Sequence, residues 1–103
     1  MAISYVVAES TALNGTNVTV YTVPASTVAV ISAVVVGNTD TSAQTLDDVK
    51  LGGNEYVSGK SIPAEGQILT ELEGQTLTAA QTITVSASGS FLNIRFSIKT
   101  RSV

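Results

Sequence analysis

Two segments near the end of the chain alternate cleanly between apolar and polar positions. In TITVSAS, residues 82–88, Ile83, Val85 and Ala87 alternate with Thr82, Thr84, Ser86 and Ser88. In FLNIRFSIK, residues 91–99, Leu92, Ile94, Phe96 and Ile98 alternate with Asn93, Arg95, Ser97 and Lys99. A period of two predicts strands with one dry face and one wet face. Gly89 and Ser90 lie between the two segments as a link of the length a tight hairpin uses.

The run VYTVPASTVAVISAVVVGN, residues 20–38, breaks that pattern. Read as one continuous strand over 27–37, it is apolar on both sides. Ala29, Ile31, Ala33 and Val35 fall on one face, and Val28, Val30, Val34 and Val36 on the other, with Ser32 the lone interruption. An antiparallel sheet commonly leaves one face to water. This strand is therefore expected to be central, with the Ala29 side turned to the core and the Val28, Val30, Val34 and Val36 side available to a partner.

The remaining strands follow from turn residues. A strand over 4–9 ends at the polar cluster Asn14, Gly15, Thr16 and Asn17; a second, 18–23, stops at Pro24, which has no N–H to give a ladder. After the central strand and the loop 38–42, a strand over 44–51 meets Gly52-Gly53-Asn54, a hairpin turn leading to a short strand over 55–58. Pro63 and Gly66 bracket a turn before 67–73, where Ile68, Leu69 and Leu72 suit either a strand or an irregular rim. Turns at roughly eight- to twelve-residue spacing are the rhythm of a sandwich or barrel. The expectation is one all-β domain over residues 1–103, an eight-stranded antiparallel β-sandwich of jelly-roll type. Without a Trp or a Cys pair it lacks the immunoglobulin pattern.

Composition agrees with that class and narrows the chemistry. The 103 residues suffice for one modest core, and 44% hydrophobic against 13% charged residues lies far from the disordered range. Thr and Val, the most frequent residues, favour pleated structure. No Lys or Arg precedes Lys50 and the net charge is -3, so a nucleic-acid backbone is not an expected partner. The chain has neither a signal-like start nor an apolar run of roughly 20 residues, so export and membrane insertion are not expected.

With neither His nor Cys, the usual general base, thiolate nucleophile and soft-metal ligands are missing. A Ser/Lys pair remains chemically possible, but no Ser is tied by spacing to Lys50, Lys60 or Lys99. GNEYVSGKS, residues 53–61, approaches a phosphate-binding loop, yet it has one residue too many between its glycines, and Ile62-Pro63 stands where a helix should open. Asp40, Asp47, Asp48 and Glu55 fit no calcium-loop spacing. Five aromatic residues, three Tyr and two Phe, are too few for a stacking platform. No enzyme activity, cofactor or metal is expected.

The run VTVYTVPASTVAVISAVVVGNT, residues 18–39, and the run IPAEGQILTELEGQTLTAAQTITVSAS, residues 62–88, resemble a group of small tailed-bacteriophage virion proteins. Ser26 and Thr27 stand where those proteins commonly have Gly-Lys after Pro-Ala, and Gln81 stands where they have Asp. The resemblance implies a β-sandwich of the head decoration (cement) or head-fibre type, often a trimer. Its implied partners are further copies of itself and the major capsid protein, and its implied place is the capsid surface of a virion made in the host cytoplasm. A tail or neck adaptor or fibre-base component is the alternative within the virion, and a carbohydrate- or receptor-binding sandwich is the alternative outside it. The expected interface joins the apolar N-terminal residues Ala2, Ile3, Tyr5 and Val7 to the Val28, Val30, Val34 and Val36 face, with the loop 38–44 and the turn 62–67 at its rim.

Overall fold

A computed structural model describes residues 3–103; Ala2 lies outside the described residues. Nine strand segments and one 3₁₀ turn follow in order: β1 (Ile3–Ser10), β2 (Gly15–Thr22), β3 (Thr27–Asn38), β4 (Gln44–Leu51), β5 (Asn54–Ile62), β6 (Gln67–Ile68), the 3₁₀ turn (Thr70–Leu72), β7 (Thr76–Leu77), β8 (Thr82–Ala87) and β9 (Leu92–Ser102). The first sheet runs β1-β9-β3-β6, with β7 also paired to β3, and the second runs β2-β8-β4-β5. Every strand pairing among the described residues is antiparallel. The two short segments β6 and β7 share one position beside β3, so eight sheet positions are filled.

The connectivity is a long hairpin rolled up. Its tip is the β4-β5 turn, where Gly52 and Gly53 both take positive φ, +60° and +86°, as the tight two-residue link from Leu51 to Asn54 requires. Moving back from the tip, β3 pairs with β6 and β7, β2 with β8, and β1 with β9. Successive pairs fall in alternate sheets, which is the jelly-roll arrangement. The body measures 45 × 21 × 20 Å along its principal axes.

This topology corrects the hairpin expected at Gly89-Ser90. β8 lies in the second sheet and β9 in the first, so residues 88–91 carry the chain across the end of the core. The turn expected at 14–17 also moves: the bend falls at 11–14, and Gly15 to Asn17 open β2. The strand expected over 55–58 runs on to Ile62. Segment 67–73 proves to be a short strand followed by the 3₁₀ turn.

The core fills the space between the sheets. Phe96, Ile94 and Ile98 of β9, Ile83 and Val85 of β8, Leu46 and Val49 of β4, and Ile62 of β5 are all buried. Leu69 and Leu72 close the open side under the 3₁₀ turn, and Leu13, in the β1–β2 connection, is buried as well. Alternation in β8 and β9 places their apolar residues inward as expected. No helix among the described residues is long and apolar enough to cross a membrane.

β3 does not keep one alternation along its length. Ile31 pairs with Ile98 and Ala33 with Ser97, so Ser32 is an extra residue, a β-bulge. An inserted residue flips the side-chain parity of everything beyond it. Before the bulge Ala29 and Ile31 face the core; after it Val34 and Val36 do, each with no exposed surface. Ala33 and Val35 turn outward, and Val35 is 49% exposed. The expected division of β3 into an Ala29-Val35 core face and a Val28-Val36 partner face is thus right before Ser32 and reversed after it. On the side away from β9, the bulge is fixed by two backbone bonds, Ile31 N–H to Gln75 O at 2.9 Å and Gly74 N–H to Ile31 O at 2.8 Å.

Candidate docking face

Register fixes what the first sheet shows to solvent. Across β1, β9 and β3 the outward rows are Ile3, Arg101 and Val28; Tyr5, Lys99 and Val30; Val7, Ser97 and Ala33; and Glu9, Arg95 and Val35. β6 extends the last row, with Ile68 opposite Val35, and β7 sets Thr76 opposite Val30. Two apolar rails, on β1 and on β3, therefore flank a basic central strand.

Ile3, Tyr5, Val7, Val35 and Ile68 are among the exposed large hydrophobic residues, with Tyr5 at 78%. Single exposed apolar side chains are ordinary, but a contiguous set on one sheet face is not. The outer face of the second sheet is different. Thr82 and Thr84 of β8, Asp48 and Lys50 of β4, and Glu55 and Ser58 of β5 occupy it. Ser86 on that side is buried, its Oγ accepting a 2.8 Å bond from the Asn17 N–H where β2 is irregular. Of the large exposed apolar side chains, Ile3, Tyr5, Val7, Val35 and Ile68 stand on the first face and Tyr56, beside Glu55, on the second.

Of the sequence-expected interface residues, Ile3, Tyr5, Val7, Val28 and Val30 come together on this one face, with Val28 and Val30 half-buried. Ala2 lies outside the described residues. Val34 and Val36 do not lie on this face: the Ser32 bulge turns both into the core, and their places outside are taken by Ala33 and Val35. The expectation also missed Ile68 and the basic strip. The signal for that strip was present in the sequence, because Arg95, Lys99 and Arg101 all fall on the polar parity of the last strand.

Electrostatically the face stands against the rest of the chain. Arg95 approaches Glu9 at only 3.9 Å, with both side chains largely exposed. Lys99 and Arg101 join no ion pair among the described residues. Together with Val28, Val30 and Thr100 they line a shallow, open recess of about 230 Å³. The three cations less Glu9 leave a surplus of two positive charges here. Since the chain carries -3 in all, the remainder carries -5.

Much of that acid lies on the open side of the sandwich, where β5 and segment 63–75 run together. Glu65, Glu71 and Glu73 are exposed there, and Lys60 of β5 pairs with Glu71 at 3.2 Å. The backbone N–H at Glu71 holds the Glu71 carboxyl below its ordinary range; burial opposes it, and Lys60 adds to the lowering. Leu69 and Leu72, fully buried, root the segment in the core.

No cluster of three or more His, Cys, Asp or Glu residues assembles among the described residues. Asp40 is engaged locally, accepting from the Thr41 N–H at 2.8 Å and from Gln44 Nε2 at 2.6 Å. Gly53 to Ser61 forms turn and strand, with Pro63 following, so no helix N-terminus faces that segment. Compared with known proteins, the chain matches no family model, no curated protein and no solved structure.

Proposed function

We propose that this chain is a non-enzymatic structural protein of a tailed bacteriophage, a decoration (cement) protein that binds the outer surface of the icosahedral head and associates as a homotrimer. One observation carries the reading: the first sheet presents Ile3, Tyr5, Val7, Val28, Val30, Val35 and Ile68 on its outer face, while the second presents mostly Thr, Ser and Asp. An exposed apolar sheet face is destabilising to leave in water and favourable to cover. The sequence resemblance over residues 18–39 and 62–88 supplies the setting. The lack of His and Cys agrees with a role that makes and breaks no covalent bonds.

The face has a useful size. An eight-residue strand spans about 26 Å and four strands about 19 Å, which gives on the order of 500 Å². That is more than half of the roughly 800 Å² each partner brings to a standard interface, with the rim still to be counted. Cosedimentation with preassembled heads of the source phage tests the proposal. The wild-type chain should pellet saturably with the heads, and Tyr5→Glu should pellet several-fold less. A wild-type chain that stays in the supernatant at micromolar concentration would refute the cement role.

A further inference from the structure

We infer that the basic, apolar outer face of the first sheet receives the acidic flank of a second copy, formed by β5 and segment 63–75, so that copies join head to tail into a closed ring. This rests on the docking reading above and names a second copy as the partner of that face; the head is then met by the assembled ring, which Tyr5→Glu prevents from forming.

Charge complementarity is the first argument. The face carries two cations, Lys99 and Arg101, in no ion pair among the described residues, above an apolar floor of Val28 and Val30. The flank carries Glu65 and Glu73, exposed and in no ion pair among the described residues. Opposite charge on two exposed surfaces is what steers and registers a contact between them. Two copies joined face to face would instead set Lys99 and Arg101 against their own kind, a like-charge juxtaposition that disfavours the isologous arrangement.

Placement is the second argument. β1 lies over β2 at one side of the sandwich and β3 over β5 at the other, so face and flank are adjacent surfaces at an angle. A contact between two different surfaces of the same chain is heterologous, and it closes when the angle divides the circle. Each copy then uses its face once and its flank once. On the order of 500 Å² of face thereby becomes about 1,000 Å² buried per copy, within the range of stable assemblies.

The test is the solution mass by light scattering at micromolar concentration, read on chains whose folding is checked by circular dichroism. Lys99→Glu with Arg101→Glu should lower the mass to that of one chain, and so should Glu65→Lys with Glu73→Lys. All four positions are exposed. The chain carrying all four changes should recover the wild-type mass, because the charges are exchanged and still matched. Should a reversal variant fold poorly, Lys99→Gln with Arg101→Gln should still raise the dissociation constant at least about tenfold. Raising salt to about 1 M, where the screening length is about 3 Å, should weaken the wild-type assembly. A Lys99/Arg101 reversal that keeps the wild-type mass overturns the inference, as does a four-fold exchange that fails to restore it. A wild-type single-chain mass with heads still bound overturns the ring and leaves the docking reading standing; a single-chain mass with no head binding overturns both.

Discussion

The bulge at Ser32 makes a prediction that the sequence pattern alone would reverse. Val→Thr exchanges a methyl group for a hydroxyl at almost constant shape, so its cost reports burial more than volume. Val34 has no exposed surface and packs among Ile31, Phe96 and their neighbours, whereas Val35 is 49% exposed beside Ile68. A hydroxyl buried at Val34 without a designed partner should cost about 1–3 kcal/mol. For a domain of this length each kilocalorie lowers the melting temperature by about 4–8 °C, so Val34→Thr should melt between about 4 and about 24 °C below the wild type. Val35→Thr on the surface should stay within about 0.5 kcal/mol. Thermal and urea unfolding followed by circular dichroism would measure both, with the urea slope m unchanged if only stability has moved. An uninterrupted strand puts Val35 inside and Val34 outside, so a Val35→Thr variant less stable than Val34→Thr would refute the bulge and the composition of the face built on it.

Two further outcomes follow from single residues. Gly66→Ala should destabilise by at least about 1 kcal/mol in the same urea assay. Gly66 has φ +86°, and an added Cβ would lie 2.6 Å from the Val36 carbonyl oxygen, too close for either backbone to stay in place. Glu71 is depressed in the folded state, so its contribution is present at neutral pH and is lost as pH falls through its folded value. Because its pair with Lys60 is substantially exposed and screened, Glu71→Gln should cost under about 1 kcal/mol at pH 7, and the difference from wild type should vanish in acid. A difference that grows on acidification would contradict this assignment.

Much of the fold is legible in the chain because local pattern and final position agree. β8 and β9 each have one wet and one dry side, and Ile83, Val85, Ile94, Phe96 and Ile98 go where a period of two sends them. The Gly52-Gly53 turn is legible for the same reason, since only a residue tolerant of positive φ suits both positions. The parity switch in β3 is not, because Val and Ala stand on both sides of the strand and either register satisfies the hydrophobic pattern. Ser32 is its one local mark, and the bonds that hold it come from Gly74 and Gln75, more than forty residues away. Likewise, nothing near Gly89-Ser90 distinguishes a hairpin from a crossing between sheets. The choice is set by β1 and β3, which take both edges of β9 and leave none for β8.

The candidate face was legible in half. Ile3, Tyr5, Val7, Val28 and Val30 carry it in sequence, while Val35 and Ile68 join only once the bulge and the short β6 pairing exist. The basic strip was encoded in the alternation of β9, but its meaning depends on the apolar rails that β1 and β3 lay beside it.

The central claim is that the outer face of the first sheet, and not that of the second, is the surface through which the chain acts. A matched pair of variants addresses it directly. Tyr5→Glu puts a charge on the first face at a position that is 78% exposed, and Thr19→Glu puts one on exposed β2 of the second sheet. Light scattering at micromolar concentration should give three chain masses for the wild type and for Thr19→Glu, and one for Tyr5→Glu. A Tyr5→Glu chain that keeps the wild-type mass while Thr19→Glu falls apart would contradict the claim.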